Sequence, residues 1–221
     1  MTPVIDPHVF GNQLLKWWKR NGRIFPWRTT KDPYNVLLSE VLLHRTRANQ
    51  VVPVYEEFLK KFPSIGPLSQ ANGKEVMALI RSLGLYWRAR LLLDMTTEIV
   101  TKHHGRVPSS KEELEALPGI SDYISSAVRC FAFDQPEILL DTNTVRIVGR
   151  VFGVKMTDSS RRTRKFREMY RSLLDNNRPR EFNYAMIDLG ALICSPRNPE
   201  CEICPVNDMC SYGATRIGRA K

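Results

Sequence analysis

Four of the five cysteines, Cys194, Cys201, Cys204 and Cys210, crowd into the last 28 residues in the spacing C-x6-C-x2-C-x5-C. An odd total with one dense cluster does not look like a secreted disulfide framework. Thiolates this close in a reducing compartment bind a metal centre rather than one another, and four soft sulfurs suit zinc or an iron–sulfur cluster. Ligation would also supply folding energy to a short tail poor in apolar residues. Cys130 stands apart in an apolar helical stretch and reads as a small core residue.

Two carboxylates also stand where they could do chemistry. Glu40 lies among Leu37, Leu38, Val41, Leu42 and Leu43. In such dry surroundings it is either structurally paired, for instance with Arg47, or held at a raised pKa for use. Asp141 precedes the helical run TNTVRIVGR, where the helix dipole and free amides favour a carboxylate. It can be an ordinary N-cap or a working group.

The elements that must position these residues begin with the hairpin upstream of Asp141. KEELEA and DYISSAVRCFAF read as helices joined by Pro118, Gly119, Ile120 and Ser121. Ser110 and Glu113 form a capping box for the first helix, which stops at Leu117 because proline cannot continue it. Such a turn leaves amides unpaired at the mouth of the next helix, a setting that suits a phosphate of a nucleic-acid backbone. Ser121 would take a positive φ less easily than glycine.

Elsewhere, Phe10, Leu14, Trp17 and Trp18 share a helical spacing that means packing. Asp32-Pro33 starts a helix expected to run on towards Val51. Residues 53–108 read as short helices parted at Pro63, Gly66-Pro67, Asn72-Gly73 and Gly84. The helix containing Arg161, Arg162, Arg164, Lys165, Arg167 and Arg171 could track phosphates. Strand-like alternation, repeats and low-complexity linkers are absent, so the chain reads as all-α.

Thirty-three Lys and Arg against 23 Asp and Glu give a net charge of +10 in 221 residues, with a pI near 9.6. Such an excess marks a polyanion partner, and charge alone leaves DNA, RNA and membrane surface open. There is no run of about 18 apolar residues, and MTPVIDPHVF lacks a signal pattern. The protein is therefore expected to stay where it is made, with no membrane partner.

Leu117, Pro118, Gly119, Ile120, Ala127 and Val128, followed by Asp141 opening D-T-N-x-V-R-I-V-G-R, resemble the helix-hairpin-helix and Gly/Pro-Asp segment of the endonuclease III superfamily of DNA glycosylases. The cysteine spacing matches that superfamily's C-terminal loop. The resemblance covers nearly the whole chain. It implies a two-domain all-α fold, with a six-helix barrel at 28–136 and a cluster domain from 1–27 and 137–221. It also implies a [4Fe-4S] cluster on Cys194, Cys201, Cys204 and Cys210.

By the same resemblance, Asp141 stabilises positive charge on the deoxyribose and activates a water, as carboxylates do in glycoside hydrolysis. L-S-E-V-L-L-H-R-T is similar to the helix of MutY-type adenine and Mig-type thymine glycosylases in which a glutamate faces the flipped base, a role that falls to Glu40. His44, Arg45 and Arg47 then reach into the duplex. Leu85, with Tyr86 as the alternative, serves as the wedge that fills the vacated stack. Read from its own residues, the stiff Ser195-Pro-Arg-Asn-Pro-Glu200 loop is expected to present Arg197 to the backbone.

Three departures narrow the reading. Ser121 replaces a second glycine of the family. His44-Arg45-Thr46 stands where MutY-type enzymes usually carry Gln-Gln-Thr. Tyr123, 18 residues before Asp141, stands where strand-cleaving members carry a lysine that forms a Schiff base; a phenol cannot form an imine. Tyrosine there is the Mig-type pattern, and MutY-type enzymes usually have serine.

The expected protein is a monofunctional glycosylase that releases thymine or uracil opposite guanine from double-stranded DNA. A mispaired base costs least to extrude. It is expected to be a monomer, cytoplasmic and associated with the nucleoid. One rival is a MutY-type adenine glycosylase, which normally has a further C-terminal domain, whereas this sequence ends eleven residues after Cys210. The other is a non-catalytic DNA-binding module.

Overall fold

The computed structural model describes residues 5–84 and 86–218. Its helices are α1 (Pro7–Asn21), α2 (Pro33–Leu43), α3 (Ala48–Lys61), α4 (Ile65–Ser69), α5 (Gly73–Ile80), α6 (Trp87–His103), α7 (Lys111–Ala116), α8 (Asp122–Phe133), α9 (Thr142–Val151), α10 (Arg164–Leu173), α11 (Pro179–Leu192) and α12 (Ser211–Arg216). The described residues contain no strand, and no helix among them is long and apolar enough to cross a membrane.

The chain divides into two compact units: Met1–Arg23 with Asp134–Lys221, and Ile24–Phe133. The sequence-based division put the crossings at 27/28 and 136/137. The first crossing comes earlier because Phe25 stacks on Trp27 at 5.0 Å, and Trp27 meets Tyr55 edge-on at 5.4 Å. These rings commit the segment after Ile24 to the second unit. That unit carries α2–α8, in which α4 is a helix of only five residues.

In the first unit α1 packs on α11. Phe10 and Leu14 are fully buried, and Trp18 stacks on Tyr184 at 6.3 Å. The packing expected for this stretch is what the structure has. Asp188, wholly buried, accepts from Trp18 Nε1 at 3.0 Å, the Arg23 amide at 2.9 Å and Arg23 Nε at 2.7 Å. A buried carboxylate is tolerable only with such partners.

Three local expectations are corrected. The α2 helix ends at Leu43 instead of running on to Val51, because Arg45 adopts φ 58° and the chain re-enters a helix only at Ala48. Gly66-Pro67 is the first turn of α4, not a break, since proline is harmless where no helical amide bond is due. The Glu113 carboxylate accepts from the Ser110 hydroxyl at 2.7 Å, while that hydroxyl accepts from the Glu113 amide at 3.2 Å. The cap is real, but the expected return bond to the backbone is replaced by one to the hydroxyl. Cys130 is a core residue with no exposure, as expected.

Candidate active site

The hairpin is tied together by side chains. Lys111 Nζ meets Asp122 at 2.6 Å, and the Ser125 hydroxyl donates to Glu115 at 2.9 Å, so α7 and α8 are bridged on both sides of the turn. Gly119 has φ 74° and is the residue that takes the left-handed conformation. Ser121 does not need it: its hydroxyl accepts from the Ile124 amide at 3.3 Å and its carbonyl from the Ser125 amide at 2.9 Å. It serves α8 as a cap, which serine does well.

Ile120 is 8% exposed and its amide bonds Leu117 O at 3.2 Å, so it holds the turn from the inside. Pro118 is half-buried and Gly119 exposed. The Gly119 and Ser121 amides carry no hydrogen bond among the described residues. They are the donors the turn presents.

Tyr123 follows on α8, half-buried. The neighbouring α2 packs against α8 and carries Glu40, 8% exposed, amid buried Leu37, Leu38, Val41 and Leu42. These two candidates therefore sit on contacting helices of one unit. At the end of α2, His44, Arg45 and Arg47 are exposed. Partial burial, with Arg45 and Arg88 adding to it, holds the His44 imidazole below its ordinary range. The ring is neutral near pH 7. Tyr86 is 53% exposed at the entry to α6; Leu85 lies outside the described residues.

In the other unit Asp141 caps α9. Its Oδ1 accepts from the Thr144 amide at 2.7 Å, and its own amide donates to the Thr144 hydroxyl at 2.9 Å. Thr144 in turn donates to Leu139 O at 2.7 Å. Among the described residues Oδ2 has only the long 3.4 Å contact from Asn143 Nδ2. One carboxylate oxygen is thus fixed by the helix, and the other keeps lone pairs for another partner.

Sequence reasoning missed the arginines behind this cap. Arg146, 6% exposed, reaches Asn143 Oδ1 and Gly190 O at 2.8 Å, and Cys194 O at 2.7 Å. Arg150 donates to Cys194 Sγ at 3.2 Å, Ser195 O at 2.7 Å and Pro196 O at 2.9 Å, and its guanidinium lies 4.7 Å from the Tyr212 ring centre. The loop that carries exposed Arg197 is therefore held from behind. Their i, i+4 spacing beside Val145, Ile147 and Val148 of α9 was the available signal.

Among the described residues no three side chains are drawn together around a single ion, and the fit of the cysteine loop to a cluster rests on donor chemistry. All four thiols are free and half-buried. Burial pushes the Cys204 thiol up to about 12, with Cys210, Cys194 and Cys201 adding to the rise, so the four sulfurs influence one another. Burial raises Cys201 and Cys210 as well. Mutually repelling thiolates become favourable once a cationic centre lies among them. The Arg150 guanidinium on Cys194 and the Gly213 amide 3.4 Å from Cys210 Sγ supply donors to sulfur. The residues present fit an iron–sulfur cluster.

Comparison with known proteins agrees. Residues 38–172 match the HhH-GPD superfamily of base excision DNA repair proteins, and residues 194–210 match the iron–sulfur binding domain of endonuclease III. The chain is 43% identical over 205 residues to a protein of Aeropyrum pernix named thymine-DNA glycosylase, covering 90% of this chain and 92% of that one. It is 37% identical over 216 residues to a thymine/uracil-DNA glycosylase of Pyrobaculum aerophilum, covering 94% and 93%. An adenine DNA glycosylase of Buchnera aphidicola is 33% identical, with 91% of this chain matched but only 58% of that protein. A solved thermostable thymine-DNA glycosylase superposes with a TM-score of 0.89 at 33% identity, covering 95% of this chain and 97% of the other.

Proposed function

Because this chain belongs to the HhH-GPD superfamily of base excision DNA repair proteins, we propose that it is a monofunctional DNA glycosylase that hydrolyses the N-glycosidic bond of thymine or uracil mispaired with guanine. The observation that carries this is similarity over nine-tenths or more of both chains to proteins named thymine- and thymine/uracil-DNA glycosylases. Double-stranded DNA is the partner. A monomer working in the cytoplasm on the nucleoid completes the reading.

In the proposed reaction, water attacks the sugar carbon as the bond to the base breaks. Asp141 Oδ2 accepts the water proton and its charge offsets the oxocarbenium-like centre. The departing base carries off the bonding pair and is protonated afterwards. Glu40 and Tyr123 sort the extruded pyrimidine. The Gly119 and Ser121 amides bind backbone phosphate, with Pro118 and Ile120 shaping the turn. His44, Arg45, Arg47 and Tyr86 enter the duplex together with Leu85, and Arg197 contacts phosphate. When bound to the four cysteines, the cluster supplies a fold-holding centre for the tail.

The test is a panel of duplexes holding G:T, G:U, A:G and oxidised pyrimidines, treated with alkali after incubation. Cleavage confined to the thymine and uracil strands is expected; release of adenine alone would assign the chain to the adenine branch, and an intact panel would leave a binding module. Borohydride should trap no adduct of the wild-type protein, because Tyr123 offers no amine. Tyr123→Lys is expected to yield a trapped complex.

A further inference from the structure

Arg88 stands at the second position of α6 and has no exposed surface. Its guanidinium reaches 42–46 residues back in sequence. Nη1 donates to Leu42 O at 2.9 Å, and Nη2 donates to His44 O and, at 2.8 Å, to Thr46 Oγ1. The two carbonyls belong to the end of α2, where a helix has no further amides to offer them. Between the bonded residues Arg45 holds φ 58°, a left-handed conformation that costs a non-glycine residue on the order of 1 kcal/mol.

Such a backbone persists only when its surroundings over-determine it, and here one buried side chain makes all three of these bonds. The neighbouring Trp87 meets the His44 ring edge-on at 6.0 Å, a second contact between the same segments. Tyr86, two residues before Arg88, is the N-cap of α6, makes no capping bond with its side chain, and is half exposed. The α2–α3 connection and the entry to α6 thus share a single charged anchor. A lysine ammonium has neither the fork geometry nor the reach to replace it.

We propose that Arg88 is a positioning residue for base extrusion, clamping the His44–Arg47 connection to the Tyr86 segment so that the two enter the duplex as one rigid tool. The inference rests on assigning those segments to the duplex, as proposed above. A merely structural arginine would support every substrate alike. A coupling arginine matters only where a base must be forced out of a stack.

The experiment compares wild type, Arg88→Lys and Arg88→Met under single turnover on a G:U duplex and on the same strand with the uracil in a one-nucleotide bulge. A 2-aminopurine beside the uracil reports unstacking, and melting temperatures report folding. Methionine is chosen because an apolar residue of similar length can fill a buried site without a charge to satisfy. Expected for both variants is a fall of tenfold or more on G:U, a fall of less than threefold on the bulge, and a weakened fluorescence rise on the paired duplex only. Equal losses on the two substrates, or an unchanged fluorescence rise, would overturn the coupling role. A wild-type protein that unstacks the duplex but releases no uracil would instead overturn the excision reading, with the fluorescence comparison still deciding the role of Arg88.

Discussion

At Asp141 two demands meet in one side chain: Oδ1 closes the start of α9 through Thr144, while Oδ2, with only the long contact from Asn143 among the described residues, is the oxygen proposed to take the water proton. Asparagine caps a helix about as well as aspartate but cannot take a proton from water. Asp141→Asn is therefore expected to keep its stability within about 1 kcal/mol and its affinity for mismatched DNA, while base release falls by on the order of a thousandfold or more. A melting curve, a binding isotherm and single-turnover excision check the three parts; undiminished excision would remove Asp141 from the reaction. His44 gives a pH test. Its pKa is lowered, so the neutral ring is the folded protein's preferred form, and stability held above the ordinary histidine range is lost as pH falls through it. An NMR titration should put the ring below 6.5, and Arg45→Ala should move it upward.

Elements show where the sequence was legible and where it was not. The α7–α8 hairpin, the α9 cap and the α1 packing followed from neighbours a few residues apart: Ser110 with Glu113, Pro118 with Gly119, Asp141 with the helical run after it. The break after Leu43 did not, because no glycine or proline marks it; it depends on Arg88, more than 40 residues on. Arg88 had left a trace, since it shares the helical register of Leu92, Met95, Thr96 and Ile99, a face otherwise without charge. Asp188 likewise looked like any aspartate of an amphipathic helix until Arg23 and Trp18 were found on it. Long-range pairs of this kind carry no local period.

The hairpin yields a prediction at this scale. A Cβ on Gly119 would strike the Leu91 side chain, and φ 74° is unfavourable for alanine. Gly119→Ala should cost about 3 kcal/mol, the sum of overpacking and strain. Leu91→Ala in that background should return the steric part and none of the backbone part. Urea midpoints measure both, and full recovery in the double variant would show that the left-handed turn carries no cost.

Taken whole, the molecule carries a net charge of +10, and exposed Arg161, Arg162, Arg164, Lys165 and Arg171 surround the start and outer face of α10. If these contact phosphates, log affinity should fall linearly with log salt, with a slope of about −0.9 per phosphate neutralised. Replacing Arg161 and Arg162 by alanine should flatten that slope by roughly 2. An unchanged slope would reduce this face to a solvated one.

The unit that holds Asp141 is assembled from two separate stretches, Met1–Arg23 and Asp134–Lys221, and the Arg23 amide finds its partner on Asp188, 165 residues later. During synthesis the first helix therefore leaves the ribosome long before its counterpart exists. The segment from Ile24 to Phe133 emerges unbroken and has all its own contacts available by then. Until α11 has been made, α1 must wait with its apolar stripe uncovered.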